Sequence, residues 1–276
     1  MKKNIIIILI FLFFMTPADA GNFFEKLGNK INSKDGNTAI NIIKSLSVSE
    51  EDEREIGIEA SRIIISKFGL YKDEILTKYI SLIGGVIVSN CERPELKFHF
   101  NILNTDEINA FACPGGYIFL TKGAVSAAKN EDELAAVISH EVSHITLKHE
   151  LKEIRKSGIL KELSQRFAEK NREVVKKLAD FVVNNLLVKG RNRNDEYEAD
   201  AHSLNYLKAH NYNAFLHLYL MNLNRQEIQS KLSYLQSTHP PANERIQKLS
   251  GISDFIGSPV ELRMERFKFS TMQLRR

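Results

Sequence analysis

The stretch "ISHEVSHITLKHE" runs from Ile138 to Glu150, with His140 and His144 four apart and Glu141 directly after the first. On an α-helix each residue turns about 100°, so residues four apart lie within about 40° of one another, one turn along. Two imidazoles placed in this way converge on one ion. Glu141 projects to one side, where it reaches a water held by that ion instead of the ion itself. Leu134, Ile138, Val142 and Ile145 form a separate apolar stripe suited to core packing. Three polar residues on an ordinary helix would look the same, so the pattern needs a third ligand to read as a metal site.

That ligand has a candidate about fifty residues on, in "NDEYEADAHSL", residues 194–204. The segment reads as a helix capped by Asn194. Glu196 and Asp200 lie four apart on one face. Glu196 completes a set of two histidines and one carboxylate, and Asp200 can accept the free N–H of a ligand histidine and hold its tautomer. Glu198 points elsewhere and reads as a solvated charge. Imidazoles with a carboxylate suit a borderline-soft ion such as zinc, one per chain. A catalytic zinc keeps three protein ligands and a water, whose pKa it lowers to about 7. A carboxylate beside it can take the proton and later give it to a leaving amine.

The surrounding chain is consistent with such a site. Its 276 residues are 43% hydrophobic and 26% charged, enough for a sizeable core. The formal net charge of +4 is small and no run of five like charges occurs, so no nucleic-acid partner is expected. At the N-terminus, Lys2 and Lys3 precede an apolar run from Ile5 to Met15 that closes on Ala18-Asp19-Ala20. The run is too short to span a bilayer, which needs roughly 20 residues. It reads as a signal peptide over residues 1–20, cleaved after Ala20, which places the mature chain in a periplasm. Export permits a disulfide between Cys91 and Cys113, although two buried thiols is the favoured reading.

Residues 21–48 read as a linker or N-terminal arm. The domain proper is expected over 49–250, with 251–276 as a tail. Ser49 with Asp52 marks a helix start and Gly69 its stop. A second helix is expected over 73–89. "LKFHFNIL", residues 96–103, alternates as a half-buried strand. "INAFAC" and "YIFLT" read as two strands joined by the Pro114-Gly115-Gly116 turn. Helices are then expected over about 123–129, 131–150, 153–188, 195–210, 213–229 and 242–249. The composite is α+β, a mostly helical zincin-like domain with a small sheet or hairpin beside the helix that carries the two histidines. Segment 151–188 reads as an amphipathic helix or helical hairpin packed on the domain, with a lid or a membrane-surface helix as the alternative.

"HEVSH" followed by "EYEAD" resembles the gluzincin metallopeptidases of the HtpX, BepA and CAAX-prenyl-endopeptidase type. Further matches lie in order: "EDEREIGIEAS" with that family's opening segment, "NAFACPGGYIFLTKG" with its strand–turn–strand, and "STHPPANERI" with its C-terminal His-Pro…Arg segment. The resemblance covers about residues 49–250. It implies a zinc endopeptidase with His140, His144 and Glu196 as ligands and Glu141 as general base. It implies that Asn109, Ala110, Phe111 and Ala112 form an edge strand that pairs with extended substrate. It places His239 and Arg245 near the active site, where either can stabilise the oxyanion, or where His239 can fill the open metal position and hold the enzyme latent. His149 is expected to be rotated away from the metal pair, as a structural contact. The expected function is cleavage of unfolded or misassembled envelope proteins, with contact to a membrane periphery or to outer-membrane assembly machinery. The alternative is a chaperone or assembly factor with secondary proteolysis; the intact Glu141 speaks against a pure binder.

Overall fold

The computed structural model describes residues 48–94, 96–160, 172–212, 238–249 and 261–275. The chain divides into two units, Met1–Ser47 and Val48–Arg276, and every described residue lies in the second. The signal peptide, the arm over 21–47 and the helix expected over 213–229 therefore lie outside the described residues.

Helix α1, Glu50–Phe68, begins with a reciprocal cap: the Ser49 side chain accepts from the Asp52 N–H, and the Asp52 carboxylate accepts from the Ser49 N–H. It ends at Gly69, whose φ of 71° needs a residue without a side chain. Helix α2, Glu74–Val88, is capped by Asp73 and buries Leu76, Tyr79, Ile80, Ile83 and Ile87, an i, i+3, i+4 face. Strands β1 (His99–Leu103), β2 (Ala110–Cys113) and β3 (Tyr117–Thr121) form one sheet in the order β1-β3-β2. β1 and β3 run parallel, and β2 and β3 are antiparallel through the tight turn Pro114–Gly116. That turn is pinned from α1. The buried Glu53 carboxylate accepts from the Gly115 N–H at 3.1 Å and from Arg93 at 2.8 Å, and Gly57 lets the Pro114 carbonyl approach the helix backbone.

After β3 come α3 (Lys122–Ala127) and α4 (Glu131–Thr146), capped by Asn130. Every residue of α4 is buried, because α2, the sheet and α7 (Arg193–Ala209) enclose it. The apolar stripe Leu134, Ile138, Val142 and Ile145 sits in the main core as expected. The architecture is α+β and mostly helical, with the small sheet packed against the α4 helix.

Several boundaries differ from the sequence expectation. The helix expected over 131–150 stops at Thr146 and resumes as α5, His149–Lys156, after Lys148 takes a left-handed conformation at φ 56°. Helix α6, Arg172–Asn184, ends in a π-turn over Asn185–Lys189, and its buried Val174, Leu178 and Val182 belong to the face that packs on α1, while residues 161–171 of the segment read as a packing helix or hairpin lie outside the described residues. Helix α7 is capped by Asn192 and not Asn194: the Asn192 side chain accepts from the Asn194 N–H, which starts the helix two residues earlier. Beyond α8, Ala242–Leu249, residues assigned to a tail form helix α9, Glu261–Thr271. Phe267 and Thr271 are buried, and Arg263 and Arg266 pair with Glu131 in the first turn of α4. Cys91 and Cys113 are buried thiols that are not joined by a disulfide. No helix among the described residues is long and apolar enough to cross a membrane.

Candidate metal centre

Helices α4 and α7 pack along one another and bring the two halves of the donor set together. His140 Nε2 and His144 Nε2 lie 3.0 Å apart. Glu196 Oε2 is 3.5 Å from His140 Nε2, and Oε1 is 3.3 Å from His144 Nε2. All three side chains are buried, Glu196 completely. The chemistry of this set fits a divalent ion. Ligands about 2.0–2.1 Å from a tetrahedral zinc stand about 3.3 Å from one another, and the three donor distances, which use one Glu196 oxygen for each histidine, scatter around that length. Neither Glu196 oxygen has a hydrogen-bond partner among the described residues. An ionised carboxylate left so in a protein interior costs several kcal/mol unless a cation or donors compensate it. The Glu196 carboxyl nevertheless sits well below the usual carboxylate range: burial pushes it up, but His239, His140 and Arg245 together outweigh that.

Each histidine's remote nitrogen has its own partner. His140 Nδ1 lies 2.9 Å from Asp200 Oδ1, the contact expected from the four-residue spacing of Glu196 and Asp200. Burial and the Arg245 guanidinium drive the His140 imidazole down, but the Asp200 and Glu196 carboxylates outweigh them and hold it at about 9. His144, without a carboxylate at its remote nitrogen, is held well below the usual range by burial and by Arg191.

Glu141 leaves the same helix beside the donor set. Its Oε2 has no hydrogen-bond partner among the described residues, and burial raises its carboxyl above the usual range. The cation that faces it is Arg191, whose Nη1 lies 4.0 Å from Glu141 Oε2. The sequence reading missed Arg191, because an arginine in "KGRNRND" reads as a solvated loop charge. Its side chain is 4% exposed; Nε donates to Glu150 Oε1 at 2.9 Å and Nη2 to the Ala112 carbonyl at 3.2 Å.

Arg245, expected near the active site as one of two candidates to stabilise the oxyanion, lies against Asp200 and His140. Its Nε donates to Asp200 Oδ2 at 2.8 Å and its Nη2 to Oδ1, so two of its donors are engaged by the carboxylate that orients His140. His239 reaches the centre: Nε2 is 3.5 Å from Glu196 Oε2, and donor atoms of His140, Glu141 and His239 converge within 4.8 Å. Burial pushes its imidazole down to about 4.

Ala110, Phe111 and Ala112 lie in β2, an edge of the sheet, and Asn109 directly precedes it. The Asn109 carbonyl accepts from the Thr121 N–H, so by antiparallel alternation Ala110 and Ala112 turn their main-chain groups away from the sheet. The edge is not open to solvent, in contrast to the expectation. The Ala110 N–H donates to Asn109 Oδ1 at 2.9 Å, the Ala112 carbonyl accepts from Arg191, and all four residues are buried. The Asn109 side-chain amide nitrogen has no partner among the described residues. His149, expected to turn away from the metal pair, instead puts Nδ1 2.8 Å from His144 Nδ1, because the break at Lys148 redirects the chain.

Comparison with known proteins agrees with this geometry. Residues 75–253, which include the complete donor set, match the profile of Peptidase family M48. Over 105 residues the chain is 37% identical to the beta-barrel assembly-enhancing protease of Escherichia coli K12, covering 38% of this chain and 21% of that protein. It is 30% identical over 110 residues to the putative beta-barrel assembly-enhancing protease of Vibrio cholerae, covering 40% of this chain and 23% of that protein. The mitochondrial metalloendopeptidase OMA1 of Schizosaccharomyces pombe is 27% identical over 210 residues, 73% of this chain and 61% of that protein. The aligned segment thus spans about a fifth of the length of the bacterial relatives. With a buried group of residues that could hold a metal ion inside the matched region, the chain belongs to peptidase family M48.

Proposed function

We propose that this chain is a zinc endopeptidase that cuts unfolded or misassembled proteins of the cell envelope. The observation that carries the reading is Glu196, a fully buried carboxylate with no hydrogen-bond partner among the described residues that faces two imidazole nitrogens at 3.3 and 3.5 Å. His140, His144 and Glu196 hold the ion, and two imidazoles with one carboxylate favour zinc among divalent metals. Bound there, zinc supplies Lewis acidity toward the scissile carbonyl. Glu141 Oε2 takes the proton of the attacking water and passes it to the leaving amine, and its burial raises its proton affinity toward that task. Asp200 fixes the His140 ring through Nδ1. Once Asn109 Oδ1 and Arg191 release the Ala110 N–H and the Ala112 carbonyl, Asn109 to Ala112 can receive the substrate as an added strand, a mode that recognises main chain and little sequence.

Two features support the substrate class and the compartment. The bacterial relatives carry names that tie them to β-barrel assembly, and residues 1–20 have the pattern of a cleaved export signal that would deliver the chain to the periplasm. His239 serves either the developing negative charge or a resting form in which it closes the donor set; more proteolysis in His239→Ala supports the resting role, and a large loss supports the catalytic one. The proposal is tested by casein cleavage with the zinc-loaded chain beside Glu141→Gln. Wild type is expected to cleave, and the variant to retain zinc and lose cleavage. Equal cleavage by both overturns the assignment. Zinc binding without cleavage by either moves the function to client holding by the same edge.

A further inference from the structure

We propose that His149 is a positioning residue for the metal centre: it accepts the Nδ1–H of His144 on its own Nδ1 and passes the orientation on to Glu198 through Nε2–H. The inference rests on the reading of His144 as a metal ligand.

The geometry assigns the protons. His144 Nε2 faces His140 Nε2 at 3.0 Å and Glu196 at 3.3 Å, so this is the nitrogen offered to an ion. A neutral imidazole that ligates through Nε2 carries its proton on Nδ1. That Nδ1 lies 2.8 Å from His149 Nδ1, which must then be the lone-pair nitrogen. His149 consequently carries its proton on Nε2, and Nε2 lies 3.2 Å from Glu198 Oε2, an acceptor. The chain His144 → His149 → Glu198 is thus satisfied in a single tautomeric arrangement. Lys152, at 3.2 Å from the same Glu198 oxygen, holds the terminal carboxylate in place.

The backbone is shaped for this contact. If α4 continued through Glu150, His149 would lie five residues past His144, about 140° around the helix. The left-handed Lys148 ends α4 and starts α5 on a new axis, which returns His149 to the His144 ring. A left-handed conformation is unfavourable for lysine, and the neighbouring contacts must offset it. His149 is 1% exposed, so the interaction runs in a dry environment. The centre therefore has two outer supports of different character: a charged one, Asp200 with Arg245 behind His140, and a neutral imidazole with a half-exposed carboxylate behind His144.

The test is zinc affinity by chelator competition, on the full chain, with His149→Phe and His149→Asn. Phenylalanine keeps the ring volume and removes the acceptor; asparagine places an acceptor oxygen near the position of Nδ1. Loss of an outer-shell partner weakens metal affinity by roughly 10–100-fold, and this is expected for His149→Phe, with His149→Asn recovering most of it. A His149→Phe affinity equal to wild type overturns the proposal, as does equal weakening in both variants, which would reduce His149 to packing. If His149→Phe does not fold, the ¹⁵N imidazole shifts of the zinc-loaded wild type decide: protonation of His149 on Nε2 supports the relay and protonation on Nδ1 overturns it. His144→Ala separates the underlying reading, because unchanged zinc affinity there removes His144 as a ligand, and the relay with it.

Discussion

Replacing Asp200 by asparagine separates what this carboxylate does for the metal from what it does for the fold. Asp200 is 1% exposed; it meets His140 Nδ1 at 2.9 Å on one side and the Arg245 guanidinium on the other. Asparagine keeps the shape and removes the charge. Toward the metal, loss of an outer-shell carboxylate weakens affinity about 10–100-fold, or about 1.4–2.7 kcal/mol at 1.36 kcal/mol per tenfold. Toward the fold, buried Arg245 loses the carboxylate that it pairs with, and breaking such a pair on one side costs about 3–5 kcal/mol. The two effects come apart in Asp200→Asn/Arg245→Met, which removes both charges together. Urea denaturation of the metal-free protein is expected to show a large loss in Asp200→Asn and a substantial recovery in the double variant. Chelator competition is expected to show weakened zinc binding in both, because neither restores a carboxylate behind His140. If zinc affinity recovers along with stability, Asp200 acts on the centre only through the fold, and the tautomer argument is wrong.

Two further perturbations probe the frame around the site. A β-carbon at Gly57 would lie 1.9 Å from the Pro114 carbonyl oxygen, in a turn already tied to Glu53; Gly57→Ala is expected to lower stability by about 1–3 kcal/mol in urea, against the gain of up to about 1 kcal/mol that helix propensity alone predicts, and a stabilised variant refutes the close approach. Burial raises the Glu150 carboxyl to about 7 in spite of Arg191, so the folded state holds this proton more tightly than the unfolded chain does. Its contribution to stability is fully present below about pH 4.5, the value in an open chain, and is lost as pH rises through about 7. Glu150→Gln is expected to flatten the fall in stability between these limits, and parallel denaturation curves for variant and wild type refute it.

Much of the frame was legible because its signals are local. Ser49 with Asp52, Gly69 and the Pro114–Gly116 turn act within a few residues, and the structure places α1, α2 and the β2–β3 hairpin where those signals point. The break at Lys148 has no local signal. Leu147, Lys148, His149 and Glu150 contain neither glycine nor proline and favour a helix. What ends α4 is tertiary: His149 finds His144 and Glu150 finds Arg191 only if the chain turns. Helix α9 escaped for a related reason. Its exposed Leu262, Met264 and Phe269 blur the apolar period, and its anchorage runs through arginines that meet Glu131 more than a hundred residues away.

For the site, spacing identified the residues that converge but not which cation does what. Glu196 and Asp200, four apart, do meet His144 and His140, since one helix face against another fixes that contact. Arginines carry no such periodicity, and their tasks depend on which carboxylate reaches them first. Arg245 is engaged by Asp200 through two of its donors, so that carboxylate reaches it first. Arg191 spends its Nε on Glu150 and one terminal nitrogen on Ala112, and its other faces Glu141 from 4.0 Å. On the function proposed above, an extended substrate that takes the Ala112 carbonyl would displace the Arg191 donor now bonded to it, and the same guanidinium faces Glu141, so substrate binding would alter the charge opposite Glu141.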